Sequence, residues 1–239
     1  MHKYYPNRQA WQVITVNGDD VSTVKHLLQH NGSWSKHLNS NHSPCLSRAG
    51  GISSPKYLWI GCVDNYCIPH EIVGVSVDEV LVYKNLAHQV NYTDLNCLSI
   101  LQYAIQILSI KHVIVCGHYN CILLRSLAQL TSADLVEQWL HPVRRIHQEY
   151  QPWLAEYQEE SLRVEKICEL NVIEQVIQLC KLPIIQNAWE QRRELTIHGW
   201  VYSSDNGLLK DLELDIGDKQ DIFPKYQAAM WECIRKSRA

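Results

Sequence analysis

The segment HVIVCGHYNC, residues 112–121, decides the fold prediction for this chain of 239 residues. Its apolar start, 112–117, predicts a buried strand, and two earlier apolar runs, YLWIGC at 57–62 and EVLVYKN at 79–85, predict two more. A stretch with helical apolar spacing, 94–110, separates the last two of these strands. Strand, helix and strand in this order favour an α/β fold whose central sheet is mainly parallel and is flanked by helices.

The second half of the chain predicts helices and an antiparallel extension of the sheet. The runs LTIHGWVY at 195–202 and LLKDLELD at 208–215 read as strands joined by the turn SSDNG, so a hairpin is expected. Helical spacing recurs at 133–150, 160–182 and 221–236.

The N-terminal part of the chain predicts an arm rather than a separate domain. Residues 19–38 read as helical, with Asn31-Gly32 as a point where the helix could break, and residues 1–18 read as an extension. A Ser-, Gly- and Pro-rich loop follows the arm. Because the sequence contains no internal repeat and no clear linker, residues 19–239 are expected to form a single domain.

Composition excludes several classes of partner. The formal net charge of −3 provides no basic surface, so nucleic acid is not expected as a partner. No apolar run approaches the roughly 20 residues of a membrane span, so no membrane association is expected either. Nine cysteines in a long chain rich in helix and strand patterns favour a reducing compartment and predict a cytoplasmic protein. Lys3 and Arg8, with no acidic residue before Asp19, keep mitochondrial targeting as the alternative.

Potential metal ligands follow two of the predicted strands. Cys62 ends the first strand, with Asp64 just beyond it, and His118 and Cys121 follow the third. Ligands of open α/β sheets bind beyond the carboxyl ends of the strands. Two cysteines and one histidine form a ligand set found in catalytic zinc sites. The H-x-x-C spacing is also compatible with a core thiol beside an ordinary loop histidine, and the residues alone leave both readings open.

Longer stretches of the chain resemble the β-class carbonic anhydrases, especially the bacterial type II enzymes. The resemblance covers residues 20–215 and is carried by LWIGCVDNY, VLVYKNLAHQV, TDLNCLSILQYAI, HVIVCGHYNC, CELNVIEQV, QNAWEQ and TIHGWVY…GLLKDLELD. It implies Zn2+ held by Cys62, His118 and Cys121, with Asp64 either a fourth ligand in a closed state or swung away to admit water. It also implies that a zinc-bound hydroxide attacks CO2 to give bicarbonate and a proton.

The same resemblance implies an assembly and a second binding site. Members of this family form homodimers or homotetramers with active sites at the dimer interface, and their N-terminal helix embraces a second subunit. Type II members bind bicarbonate at a regulatory site whose tryptophan and tyrosine match Trp59 and Tyr202, while Lys84 replaces the family's arginine. Trp59 and Tyr202 are equally well explained as core aromatics.

Tyr66 is the first departure from the family pattern, which has an arginine at that position. The arginine pairs with the aspartate and holds it off the metal, so we expect Asp64 and Tyr66 to take part in catalysis together. A tyrosine offers one neutral hydrogen bond of about 1 kcal/mol, against roughly 1.5–3 kcal/mol for a bond between charged partners. The substitution therefore predicts a site biased to the closed form, or one that needs another cation such as Lys84.

Two further departures lie beside the predicted ligands. Ile122 and Leu123 replace two glycines of the family and are expected to narrow or reshape the pocket, and Val63 and Asn65 replace two serines. Several cysteines and histidines outside the predicted ligand set are expected to have structural roles. They are Cys67, Cys97, Cys116, Cys168, Cys180, His88 and His198.

Three functional hypotheses follow. The first is a zinc-dependent carbonic anhydrase with reduced activity, acting on CO2 and bicarbonate. The second is a non-catalytic zinc-binding relative held closed by Asp64. The third is a zinc lyase or hydrolase of the same fold that acts on another small substrate, with Ile122 and Leu123 shaping its pocket.

Overall fold

The computed structural model describes residues 25–40, 55–128 and 135–235. The chain divides into two compact units, Met1–Ile52 and Ser53–Ala239. Within the first unit the described element is helix α1, Lys25–Ser40, which runs without a break through Asn31 and Gly32. The expected interruption at those residues is therefore wrong. The proposed extension at 1–18 lies outside the described residues, and the single domain at 19–239 stays a prediction.

The second unit contains a five-stranded sheet with the order β2-β1-β3-β4-β5. Strands β1 to β4 pair in parallel, and β5 pairs antiparallel with β4, as the sequence predicts. The strands are β1 Tyr57–Cys62, β2 Val80–Asn85, β3 His112–His118, β4 Thr196–Tyr202 and β5 Leu209–Asp211. The helices of this unit are α2 Pro69–Val73, α3 Leu95–Gln102, α4 Ile122–Arg125, α5 Leu135–Glu149, α6 Gln151–Leu154, α7 Glu160–Lys181, α8 Pro183–Glu190 and α9 Ile222–Arg235. None of the described helices has the length and apolarity needed to span a membrane.

Two predicted elements differ from the structure in extent. The strand expected at 208–215 is regular only at Leu209–Asp211, because Glu213 adopts a left-handed conformation (φ 58°) that takes the backbone out of the ladder. The chain rejoins the sheet at an isolated bridge between Ile216 and Ile197. The helix expected at 94–110 is α-helical only as far as Gln102 and continues as a π-helical turn, Tyr103–Ile107.

Helix α7 packs on the sheet at the level where β3 ends, and Gly117 makes this close approach possible. A Cβ atom at Gly117 would lie 2.7 Å from Cγ2 of Val172 and 3.0 Å from Sγ of Cys168, both in α7. Real Cβ atoms do not approach other atoms that closely, so no larger residue fits without a shift of the helix. The end of β3 is thereby fixed against the core.

Side chains of alternate residues along the strands form two apolar layers. The larger layer contains the faces of α3, α5, α7 and α9, with Leu58, Ile60, Val113, Val115, Ile197 and Val201 from the strands. The smaller layer, on the opposite face, contains Trp59, Val80, Ile114, Cys116 and Tyr202. Cysteines at 97, 116, 168 and 180 are buried, as expected of core residues.

Candidate metal centre

Three potential ligands converge at one edge of the sheet. Cys62 is the last residue of β1 and His118 the last of β3, and these strands pair in parallel, so both residues lie at the same edge. A turn through Asn120, which is left-handed (φ 60°), brings Cys121 back to the start of α4. The two sulfur atoms and a ring nitrogen of His118 lie within 4.8 Å of one another, and all three residues are buried. The three residues therefore meet at the strand ends and form a group that could bind a metal; their role as ligands stays a prediction.

The imidazole of His118 is oriented as a metal ligand. Its Nδ1 lies 3.1 Å from the carbonyl oxygen of Tyr119, which can only accept, so Nδ1 carries the proton. The lone pair is then on Nε2, which is buried and has no hydrogen-bond partner among the described residues. A backbone acceptor on the second nitrogen is the usual support of a metal-bound histidine. A metal ion between the three ligands would satisfy this otherwise unpaired atom.

The proximity of the two cysteines to each other favours one thiolate and one thiol. The hydrogen bond from Cys121 holds the pKa of the Cys62 thiol well below its usual range, with further lowering from His118 and His88. The bond to Cys62, together with burial, raises the pKa of Cys121. The backbone N–H of Asp64 also donates to Sγ of Cys62, at 3.4 Å. The site is therefore prepared for a cation, which would displace the second proton.

Asp64 lies at the edge of this ligand group and is not part of it. Its Oδ2 accepts a hydrogen bond of 2.6 Å from the backbone N–H of Ile122 and lies 3.9 Å from Nε2 of His118. Tyr66, the expected partner of Asp64, is 88% exposed, and no hydrogen bond joins the two side chains among those found for the described residues. A backbone donor thus holds Asp64 in this structure, and the closed state and the joint role of Asp64 and Tyr66 stay predictions.

Lys84 bonds to backbone carbonyls, and no ion pair with Asp64 is found for it among the described residues, so its role as the missing cation stays a prediction. Its Nζ donates to the carbonyl oxygens of Asn65 at 2.7 Å and Cys67 at 3.2 Å, so it fastens the loop after β1. Trp59 and Tyr202 are buried together in the smaller apolar layer, at 2% and 9% exposure. A regulatory bicarbonate site at Trp59, Lys84 and Tyr202 stays a prediction.

The two residues that replace the family's glycines have ordinary helical backbones. Ile122 and Leu123 begin α4, so neither needs the conformational freedom of glycine. Ile122 is 62% exposed, and Leu123 packs partly buried against the core. Their effect on pocket shape stays a prediction.

A buried ion cluster around Glu169 contacts the segment that carries two of the candidate ligands, and the sequence does not predict it. Glu169 in α7 accepts hydrogen bonds from Lys210 at 2.6 Å, Lys166 at 3.1 Å and the hydroxyl of Tyr119 at 2.8 Å. Burial opposes ionisation of Glu169, but the two lysines outweigh it and lower the pKa of Glu169. Burial raises the pKa of Tyr119, so its phenol remains a donor. These contacts hold the residue whose carbonyl orients His118. The sequence feature that could have indicated this cluster is Tyr119, which lies between the candidate ligands His118 and Cys121.

Comparison with known proteins decides the family. A family model described as carbonic anhydrase matches residues 57–209, a stretch that contains all three candidate ligands. The chain belongs to the carbonic anhydrase family. The carbonic anhydrase of Emericella nidulans is 31% identical over 201 residues, covering 82% of this chain and 88% of that protein. That of Candida albicans is 31% identical over 205 residues, covering 84% of this chain and 72% of that protein.

Solved structures identify the class within the family. The Coccomyxa β-carbonic anhydrase, solved in complex with acetazolamide, superposes with a TM-score of 0.75 at 31% identity, covering 91% of this chain and 99% of that one. One of two tetrameric β-carbonic anhydrases from Sordaria macrospora gives 0.72 at 29% identity, covering 82% and 99%. The predicted β-class fold is confirmed, and the narrower assignment to bacterial type II stays a prediction.

Proposed function

We propose that the protein is a zinc-dependent β-class carbonic anhydrase that catalyses the reversible hydration of CO2 to bicarbonate and a proton. The observation that carries this proposal is the buried group formed by Cys62, His118 and Cys121, in which Nε2 of His118 has no protein partner among the described residues. Two thiolates and an imidazole are the ligands that favour zinc over magnesium or calcium. A zinc ion held by these residues would lower the pKa of a water ligand to about 7 and would so supply a nucleophile at neutral pH.

The residues around the ligands have roles that follow from their chemistry. Asp64 is mostly shielded from solvent, and its carboxylate oxygen near His118 is placed to accept a proton or hydrogen bond from the nucleophile. Val63 and Ile122 each directly follow a ligand and have exposed apolar side chains. CO2 has no charge and no donor, so a small apolar surface beside the ligands suits it.

Reduced activity is part of the proposal. The family arginine would add a charged partner to Asp64, whereas this chain offers a backbone N–H from Ile122. Asp64 would then be in equilibrium between a position bonded to the N–H of Ile122 and a position on the metal. One hydrogen bond of about 1.5–3 kcal/mol favours the first position. A fraction of the molecules closed by Asp64 at any moment lowers turnover by that fraction.

We also propose that the protein works as a homodimer or homotetramer in the cytoplasm. The tetrameric state of the Sordaria macrospora enzymes supports assembly, as do large apolar residues that are exposed in the single chain. They include Leu28, Tyr66, Leu95, Ile107 and Ile122. The eight described cysteines are free thiols, which fits a reducing compartment.

Stopped-flow measurement of CO2 hydration, paired with metal analysis of the same sample, tests the proposal. Metal-replete protein should hold one zinc per chain and show hydration that rises from about pH 7 to about pH 9, since the relevant pKa is about 7 or above. Zinc at equimolar level without hydration would favour the non-catalytic relative, or an enzyme for another small electrophile. Absence of zinc would contradict all three hypotheses.

A further inference from the structure

His88 lies beyond the end of β2 in a strained turn. The turn Leu86–His88 contains two successive left-handed residues, Ala87 at φ 58° and His88 at φ 48°, neither of which is glycine. Such conformations are unfavourable and persist only where surrounding contacts enforce them. His88 is 1% exposed, so the strain places an imidazole in the interior, next to the sheet edge that carries the ligands. Strain of this kind points to a role for the residue it positions.

A chain of hydrogen bonds with fixed polarity determines which nitrogen of His88 carries a proton. The backbone N–H of Val90 donates to Oε1 of Gln175 at 2.7 Å, which leaves the amide nitrogen of Gln175 to donate to Oδ1 of Asn171 at 3.1 Å. Nδ2 of Asn171 must then be the donor to Nε2 of His88 at 2.9 Å, and it also donates to the carbonyl of Ala87. In a neutral ring whose Nε2 accepts, the proton resides on Nδ1.

The N–H of His88 that this polarity defines is buried at the edge of the sheet that carries the candidate ligands. Nδ1 of His88 is buried and has no partner in hydrogen-bonding geometry among the described residues. Asn85, the last residue of β2, pairs with Cys62 of β1, and the turn that holds His88 follows Asn85 directly, so the ring lies at the end of the sheet where Cys62 is found. On another side β3 closes the space, since a Cβ atom at Gly117 would lie 3.2 Å from Cε1 of His88. A buried N–H without an acceptor is costly, and a thiolate sulfur beside it is the acceptor available.

We propose that His88 is a positioning residue that donates an Nδ1–H···Sγ hydrogen bond to the Cys62 thiolate and thereby sets how strongly this sulfur donates to the metal. The inference rests on the proposed function only in requiring a metal ion at Cys62. The bond withdraws electron density from one of the two sulfurs and compensates part of the negative charge that two thiolates bring to a buried site. Because Nδ1 carries the proton, His88 does not serve as a further ligand.

Nuclear magnetic resonance of protein labelled with 15N-histidine tests the tautomer directly, without any substitution. Long-range proton–nitrogen correlations of the zinc-loaded protein should show the His88 ring with its proton on Nδ1. A ring with the proton on Nε2, or with Nδ1 bound to the metal, would overturn the inference.

Cobalt substitution tests the bond to sulfur. Loss of a hydrogen bond raises the energy of the thiolate lone pair, so the sulfur-to-cobalt charge-transfer band of His88→Phe should move to longer wavelength than in the unmodified protein. His198→Phe is the matched control, because its ring lies on the same sheet and contacts His112, Trp200 and Asp215 instead of a ligand. The control should leave the band in place. An unchanged band in His88→Phe would contradict the inference. If that variant does not fold, the tautomer measurement on the unmodified protein still tests it.

These readouts are separable from the proposed function, since neither depends on turnover. A shifted band and the predicted tautomer in a protein that does not hydrate CO2 would support the role of His88 and contradict the carbonic anhydrase proposal. If the unmodified protein hydrates CO2 and the band of His88→Phe is not shifted, the carbonic anhydrase proposal is supported and the role of His88 is contradicted.

Discussion

The ligand group and the rim beside it are built in different ways, where the rim is defined as Asp64, Tyr66 and Ile122. Cys62 and His118 are the last residues of paired central strands, so the backbone ladder of the sheet fixes their separation. The rim lies in the loop after β1 and at the start of a short helix, and one hydrogen bond of 2.6 Å from Ile122 to Asp64 joins its two parts. Tyr66 extends into solvent.

This difference separates metal capture from reactivity. Capture depends on buried atoms that the sheet and α7 hold in place, so it should survive changes at the rim. Reactivity depends on whether the carboxylate of Asp64 remains on Ile122 or moves to the metal, and a single bond of a few kcal/mol decides this. Substitutions in the two regions should therefore change different measured quantities.

Removal of a ligand should have the largest effect. Cys121→Ser replaces a thiolate by a hydroxyl, which is a poor zinc ligand, so we expect metal content well below one per chain and hydration at the buffer background. Cys67→Ser is the matched control, because Cys67 is a half-buried cysteine in the loop after β1 that is not in the ligand group. Metal analysis and stopped-flow hydration check both variants. Full zinc binding by Cys121→Ser would break the assignment of the ligand group.

Removal of the bond at the rim should have the second-largest effect. Ile122→Pro deletes the N–H that holds Asp64, at the first position of α4, where the ring of proline is tolerated. Loss of a hydrogen bond to a charged group shifts the equilibrium between Asp64 on Ile122 and Asp64 on the metal by about 10- to 100-fold, so turnover should fall by up to that factor while zinc content stays at one per chain. Ile122→Val keeps the N–H and should keep the activity. Loss of zinc in Ile122→Pro with zinc retained in Ile122→Val would show that the rim also contributes to capture.

The same difference explains how much the sequence could reveal. Apolar runs predict strands, and parallel strands bring their ends together, so the order of the strands along the chain is enough to group Cys62, His118 and Cys121. The bond from Ile122 to Asp64 could not be predicted, because every residue except proline has a backbone N–H and the residue type does not show which N–H donates. His88 also follows a strand end, but its role depends on the hydrogen-bond polarity of residues in α7, more than 80 positions away.

Restoration of the family arginine should have a smaller, favourable effect. Tyr66→Arg adds a cation near Asp64, and an exposed ion pair contributes at most about 1 kcal/mol, so hydration should rise by up to about 5-fold. Tyr92→Arg adds the same charge at another exposed tyrosine and should leave hydration unchanged. Equal increases in both variants would attribute the gain to general charge. No increase in Tyr66→Arg would contradict the proposal that the missing arginine limits activity.

Tyr119→Phe should have the smallest effect, and it tests whether the support under His118 belongs with the rigid region. The change removes the hydroxyl that donates to Glu169, but both lysines still pair with that carboxylate, so the free energy of unfolding should fall by only about 1 kcal/mol. Zinc affinity should stay the same, since the backbone carbonyl of residue 119 still orients His118. Tyr83→Phe removes a similar bond to Asp94 together with the bond that Asn85 donates to the same hydroxyl, so it provides a loss of stability at least as large, measured by denaturant unfolding. A tenfold loss of zinc affinity in Tyr119→Phe alone would mean that the ligand group, too, depends on a single side-chain bond.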